Sequence, residues 1–488
     1  MAPSRAGSLE ERMLNRTDIL AWLDAESATF TGMADDIWSH PETGFRERHA
    51  SRLQARYLES LGYRVRWGLG GMETAFVAEW GSGRPVIGLL GEYDALAGLS
   101  QKRQPTPAPE VLGGPGHGCG HNLLGTACVA SAAALRQWLE AGGNPGTVRY
   151  YGCPAEERVT GKVFMAREGV FDDLDAALNW HPGTLNMPGK SRAVGVRDLA
   201  FRFHGRTAHA GGSPHLGRSA LDAVELMNVG VNYLREHVTE KVRIHYVVTR
   251  GGEAPNIVPE AAESWYYVRA LDPDELEQVV ARVKKIAEGA TLMTETSVEA
   301  TLNGACSSVL NNHCLADLHF AAMQELGPVG FADDELAFAR AVNANFPPEA
   351  VRPFEGLRIP PEMRERVGAA EREPLIGDNF PAWDEDKVET GSTDVGDVSW
   401  ITPLSMLSTA CFPTAAPGHS WANTAAAGTS IGHKGMMHAA RIMALVGIDL
   451  YADPAHLEHA RKEFAERTSG KSYRSPLPET LKPPRYKE

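Results

Sequence analysis

The sequence predicts an α/β protein: a mostly parallel sheet flanked by helices, interrupted by a smaller inserted α+β unit. Three observations carry this expectation. At 488 residues the chain is long for one domain and comfortable for two. Strand-like apolar runs alternate with helical stretches over the first 195 residues. Near residue 196 the patterning then changes to the polar–apolar alternation of antiparallel strands. The expected division is 1–195 and 309–488 for a catalytic domain in two parts, with 196–308 as an inserted lid and dimerisation domain.

Residues 8–62 show apolar positions at three- and four-residue spacing and end at Gly62, which predicts helix. "TAFVAEW" and "PVIGLLGEYDAL" read as strands, the second apolar enough to be buried on both faces. "NLLGTACVASAAALRQWLEA" is a small-residue helix stopped by Gly142-Gly143, and "TVRYYGCPAEE" and "AALNWHPG" are further strands. In the inserted unit, "AVGVRDLAFRFHGRTAHA", "VRIHYVVTRGG", "ESWYYVRALDP" and "SVEATLNGAC" are expected strands. "SALDAVELMNVGVNYLREHV" and "DELEQVVARVKKIAEGATLMT" are expected helices, so the order is βαββαβ. Segment 330–390 is rich in Pro, Glu and Ala with weak periodicity and reads as a long excursion, and the polar tail after 467 reads as poorly ordered.

A net charge of −14 argues against a nucleic-acid partner, because phosphate recognition needs a positive surface. No run reaches the length of a signal peptide's apolar core or a membrane span, so a cytoplasmic protein without membrane contact is expected. Six scattered cysteines fit a reducing compartment, where a special one acts as ligand or nucleophile.

Candidate chemistry gathers where strands give way to loops, the usual place for active sites in α/β proteins. In "GPGHGCGHN", Cys119 and His121 alternate. In an extended segment both would face one ion, and the glycines would let cations and substrate approach the backbone. A thiolate with imidazoles suits zinc, or manganese where carboxylates complete the sphere. Taken alone, the stretch equally describes a Gly-rich turn before a helix. Glu156-Glu157 follows an apolar strand; adjacent carboxylates there suit a metal ligand beside a proton acceptor, or a solvated pair. His181 in "LNWHPG" and His419 in "PGHSW" end further strands or loops, and His209 lies in "RTAHAGGSPHLGRSALDA" of the inserted unit.

The ordered set "SHPETGF", "GEYDALAG", "HGCGH", "PAEE", "WHPG", "AHAGGSPHLGRSALDA", "TDVGDVS" and "PGHSW" resembles the co-catalytic metallopeptidase family of aminoacylases and carboxypeptidase G, within its branch of N-acyl amino acid amidohydrolases. The resemblance runs over nearly the whole chain. It implies two divalent ions, Mn²⁺ or Zn²⁺, bridged by Cys119, with His121 and His181 on one and Glu157 and His419 on the other. It implies Glu156 as general base and His209 as an oxyanion stabiliser reaching into the site of a partner chain. It also implies that Asn256 and Arg269 hold the substrate's α-carboxylate. Where most of the wider family has His-x-Asp, this chain has Glu92-Tyr93-Asp94, so Asp94 is expected to orient a ligand imidazole. Asn122 stands where that branch usually has Asp. The implied activity is hydrolysis of an N-acyl or N-aroyl amino acid, with p-aminobenzoyl-glutamate the leading substrate and indole-acetyl or aliphatic acyl amino acids the alternatives. The implied assembly is a homodimer through the inserted unit, or a chain that needs a paralogous partner.

Overall fold

The computed structural model describes residues 15–350, 352–385 and 387–486. The first strands are β1 (Arg64–Trp67), β2 (Phe76–Ser82), β3 (Val86–Glu92), β4 (Gly146–Cys153), β5 (Ala176–Gly183) and β6 (Met187–Pro188). The inserted unit adds β7 (Gly195–His204), β8 (Arg243–Arg250), β9 (Ala261–Ala270) and β10 (Ser297–Cys306), and β11 (Leu404–Ala410) follows.

The large sheet runs β1-β2-β4-β3-β5-β11-β6. Its four central strands are parallel, while β1, β2 and β6 pair antiparallel at the edges. All seven residues of β3 are buried, as its unbroken apolar run requires. Against one face lies the helix His121–Gly142, whose alanines and Gly125 let it sit close over β3; a Cβ on Gly125 would stand 2.4 Å from the Glu92 carbonyl oxygen. The long helix Ser430–Ala452 covers the same layer.

The inserted unit follows the expected βαββαβ order, as an antiparallel sheet β10-β7-β9-β8 covered by helices Ala220–Leu234 and Pro273–Thr294. It has its own core, including Leu199, Phe201, Phe203, Val231, Tyr266 and Val283. β8 and the helix Ala220–Leu234 leave Val229, Tyr233, Tyr246, Val247 and Val248 exposed. The two sheets are joined by a ribbon of two-residue strands: Arg192–Ala193 pairs antiparallel with Val309–Leu310 and parallel with Val388–Glu389.

Several expectations need correction. The helical stretch expected over 8–62 is three helices, Arg16–Ala25, Ser27–Ser39 and Arg48–Ser60, and its residues 8–14 lie outside the described residues. Segment 330–390 contains helices Asp333–Asn343 and Arg364–Ala370 and buries Phe354, Val367, Ile376, Phe380 and Trp383 in a small core. The tail after 467 is docked. Leu477 is buried, Tyr473 donates its hydroxyl to Asp397 (2.8 Å), and Arg167 donates to the carbonyls of Pro478 and Leu481.

Candidate active site

The C-terminal ends of β3, β4 and β5 converge on one cavity of 980 Å³, as the topology of a parallel sheet dictates. Cys119, Glu156, Glu157, His181 and His419 line it, together with Glu92 and Arg269.

Cys119 reaches the cavity, and His121 lies buried behind its lining, by a route other than the expected extended segment. His121 is already the first residue of its helix, and Gly120 between them takes φ 78°, in the left-handed region. A Cβ on Gly120 would lie 3.0 Å from Phe412 Cζ and Pro182 Cγ, and one on Gly116 would lie 2.0 Å from the Leu99 carbonyl oxygen. The glycines therefore answer at least to close packing of the protein on itself. His117, the other histidine of the stretch, faces away toward the Ile37 carbonyl (3.2 Å), and burial pushes its pKa down to about 3.

The imidazoles are oriented from behind. His121 donates Nδ1–H to Asp94 Oδ1 (3.0 Å), which leaves Nε2 facing the cavity side without a hydrogen-bond partner among the described residues. Asp94 also accepts the Glu157 N–H at 2.9 Å. Burial opposes the charge on Asp94, yet His121 and that N–H hold its carboxyl below the ordinary range. His181 Nδ1 lies 2.8 Å from the Pro182 carbonyl and its Nε2 lies 3.2 Å from Cys119 Sγ. Burial, then the neighbouring His121, pushes the His181 pKa down to about 4, so its ring is neutral at pH 7. His419 Nε2 stands 3.7 Å from Glu157 Oε2, while Glu157 Oε1 is buried without a partner. Ligand atoms of Cys119, His121 and His181 lie within 4.8 Å of one another, as do those of Cys119, Glu157 and His419. Cys119 is common to both groups.

Glu156 and Glu157 occupy a single 3-10 turn, Glu156–Arg158, bracketed by two non-glycine residues in the left-handed region, Ala155 (φ 58°) and Val159 (φ 50°). Such conformations persist where surroundings enforce them. Here Glu47, wholly buried, accepts the Ala155 N–H at 2.8 Å and the Thr74 hydroxyl at 3.0 Å. His419 is also left-handed, with φ 52°. Burial, then the charges of Glu92, Asp394 and Glu157, raises the Glu156 pKa well above the usual carboxylate range. Burial raises Glu157 to about 7 and the Cys119 thiol to about 12. Such a crowd of acids without a cation holds protons; divalent ions would displace them.

Arg269, from β9, donates from Nη1 to the Thr390 carbonyl and the Ser392 hydroxyl, each at 3.0 Å, and its buried Nε has no partner among the described residues. His209 and Asn256 are not among the residues lining this cavity. They lie together in the inserted unit, where the Ala210 N–H donates to the Asn256 carbonyl and His209 Nδ1 accepts from the N–H groups of Gly211 and Gly212. Sequence reasoning assigned no role to Glu47, Glu92, Lys162 or Asp394. Glu92 and Asp394 lie within quoted motifs, but nothing in their spacing announces an ion-paired lysine.

The sequence is 44% identical over 475 residues to one of the two chain types of p-aminobenzoyl-glutamate hydrolase from Escherichia coli (strain K12), covering 94% of this chain and 97% of that one. The chain belongs to the M20 peptidase family. Residues 193–292 match the family's peptidase dimerisation domain. Among solved structures, this M20 hydrolase resembles an aminobenzoyl-glutamate utilization protein from Klebsiella pneumoniae, with TM-score 0.58, 18% identity and coverage of 88% of this chain and 97% of the other. It also resembles the Bacillus subtilis YXEP protein, described as a dinuclear metal binding peptidase, with TM-score 0.55, 18% identity and coverage of 88% and 99%. Family membership makes the protein a metal-dependent amidohydrolase with a small-molecule acyl amino acid as substrate. No helix among the described residues is long and apolar enough to cross a membrane.

Proposed function

We propose that the M20 hydrolase cleaves the amide bond of p-aminobenzoyl-glutamate, giving p-aminobenzoate and glutamate, with two Mn²⁺ or Zn²⁺ ions in its site. The observation that carries this reading is the pair of overlapping donor groups sharing Cys119, with a spare carboxylate, Glu156, beside them. The donors fit such ions: His121 Nε2 and Glu157 Oε1 are buried without a hydrogen-bond partner among the described residues, and a buried free thiol, which an ion would convert to thiolate, stands beside them. Cys119 with His121 and His181 would hold one ion, and Cys119 with Glu157 and His419 the other. When bound, the ions polarise the scissile carbonyl and supply an acidic water near neutral pH.

The chain's own residues do the rest. Glu156 takes a proton from the attacking water and delivers it to the leaving nitrogen. Asp94 keeps the His121 ring in its ligating tautomer. Arg269, fixed by Thr390 and Ser392, offers a guanidinium to a substrate carboxylate. His209 and Asn256 serve the site of a second protomer, His209 donating to the oxyanion. Their absence from this chain's own cavity lining supports that role, as do the exposed apolar residues of β8. We take the assembly as a homodimer in the cytoplasm. The E. coli relative is named as one component of a hydrolase whose other component likewise matches this chain, at 28% identity over 292 residues, so a paralogous partner is the alternative.

The test is to purify this chain alone, load it with Mn²⁺ or Zn²⁺, and follow release of the free amino group from a panel of N-acyl amino acids. p-Aminobenzoyl-glutamate should turn over fastest. A preference for indole-acetyl or aliphatic acyl groups would reassign the substrate, and activity only on adding a second chain would support the paired form.

A further inference from the structure

Glu92 ends β3 and is 2% exposed, and Lys162, at the start of the helix Gly161–Arg167, is wholly buried. Lys162 Nζ lies 2.6 Å from Glu92 Oε1 and 2.6 Å from Asp394 Oδ1, while Asp394 Oδ2 accepts the Lys162 N–H at 2.7 Å. An ammonium taken fully out of water persists only where its charge is met. Here it is met twice, and the arrangement fixes the rotamer of Glu92.

The other oxygen of Glu92 is thereby aimed at the metal-facing side of His121, with Oε2 3.3 Å from Nε2. Because Nδ1 of that ring is turned to Asp94, Nε2 is the ring atom left to face Glu92. No hydrogen bond links Nε2 to any partner among the described residues, so carboxylate and nitrogen approach without one bonding to the other. Such a pair is satisfied by a positive charge, a proton in the metal-free chain or a divalent ion in its place, and the spacing suits the ion. Oxygen and nitrogen ligands about 2.0–2.1 Å from one tetrahedral ion stand about 3.3 Å apart.

We propose that Glu92 is a further metal ligand, giving Oε2 to the ion held by His121 and His181, while Lys162 and Asp394 act as positioning residues that fix its orientation. The inference rests on the two-ion reading above. An added anionic ligand would blunt the Lewis acidity of that ion; Lys162, drawing charge toward Oε1, offsets this.

Equilibrium dialysis of the full chain against Zn²⁺ or Mn²⁺, with bound metal counted, tests it. The unaltered chain should bind two ions. Glu92→Gln should hold one with unchanged affinity and the other at least about tenfold more weakly. Glu92→Asp, which keeps a charge for Lys162 but withdraws it by one methylene, should weaken the same ion and shift the visible absorption of the Co²⁺-loaded protein. Asp394→Asn, which removes one of the two carboxylates that hold Lys162 but keeps Glu92 Oε2 as a donor, should weaken the same ion by less than Glu92→Gln does and leave the other ion's affinity unchanged. Unchanged binding of both ions in Glu92→Gln and Glu92→Asp would overturn the assignment. So would equal losses in Asp394→Asn, which would mark the network as structural. Failure of the unaltered chain to bind two ions would instead sink the two-ion reading.

Discussion

Glu156→Gln isolates proton transfer from everything else the site does. The replacement is isosteric, so the strained turn between Ala155 and Val159 and the Glu47 contact behind it are undisturbed. The Glu156 Oε2 atom stands 3.9 Å from His121 Nε2, farther than Glu92 stands from it, so Glu156 is not needed as a donor. The elevation of the Cys119 thiol arises first from burial and only in smaller part from Glu156, so the amide does not impede thiolate formation. Metal content should therefore stay at the unaltered level. Loss of a positioned general base costs about 10²–10⁴ in rate, or about 3–5 kcal/mol in the barrier. The fall should appear in kcat, with KM for p-aminobenzoyl-glutamate nearly unchanged, measured by p-aminobenzoate release from protein whose metal has been counted. A variant within tenfold of the unaltered kcat would refute the base assignment. A variant that lost its metal would show Glu156 to be a ligand.

Four further outcomes are expected. His209→Ala should lose most activity, yet mixed dimers of His209→Ala and Glu156→Gln chains should recover part of it; absence of recovery on exchange of protomers would exclude action across the interface. Arg269→Met should raise KM for substrates with a free α-carboxylate by about tenfold to a hundredfold, and α-amidated substrates should already be poor with the unaltered enzyme. Metal affinity should rise with pH: Glu157 in the metal-free chain gives up its proton at about 7 and Cys119 at about 12, and both must lose them to bind. Calorimetric titrations in buffers of different ionisation enthalpy should accordingly show proton release at pH 7. Below pH 4 His181 also protonates and binding should fail. Gly120→Ala should lower stability by about 1–2 kcal/mol from its left-handed φ alone, with a further penalty from Phe412 and Pro182, read as a fall in the melting temperature of the metal-free protein.

The sequence made part of this architecture legible, and physics explains which part. β5 and β10 occupy the very residues their apolar runs marked, because a buried or alternating strand writes its period into the chain. β11, which completes the parallel core beside β5, was not anticipated. Its seven residues, Leu-Ser-Met-Leu-Ser-Thr-Ala, carry polar side chains that are satisfied internally, as when Thr409 donates to the Gly435 carbonyl. The donors around Cys119 were legible because their residue types are rare at strand ends. Lys162 was not, since a lysine between two apolar stretches looks like a surface residue until Glu92 and Asp394, 70 and 232 positions away, are folded against it.

The ribbon joining the two sheets holds only two residues in each of its three strands. Swivelling there would disturb few ladder hydrogen bonds, but Val196, Ala305 and Cys306 at the near ends of β7 and β10 pack into the catalytic core and would have to slide with it. Arg269 rides on the moving side yet is tethered at Thr390 and Ser392, just past the third strand. A substrate carboxylate gripped by that guanidinium would thus pull on the ribbon itself, and any hinging there would be coupled to its capture.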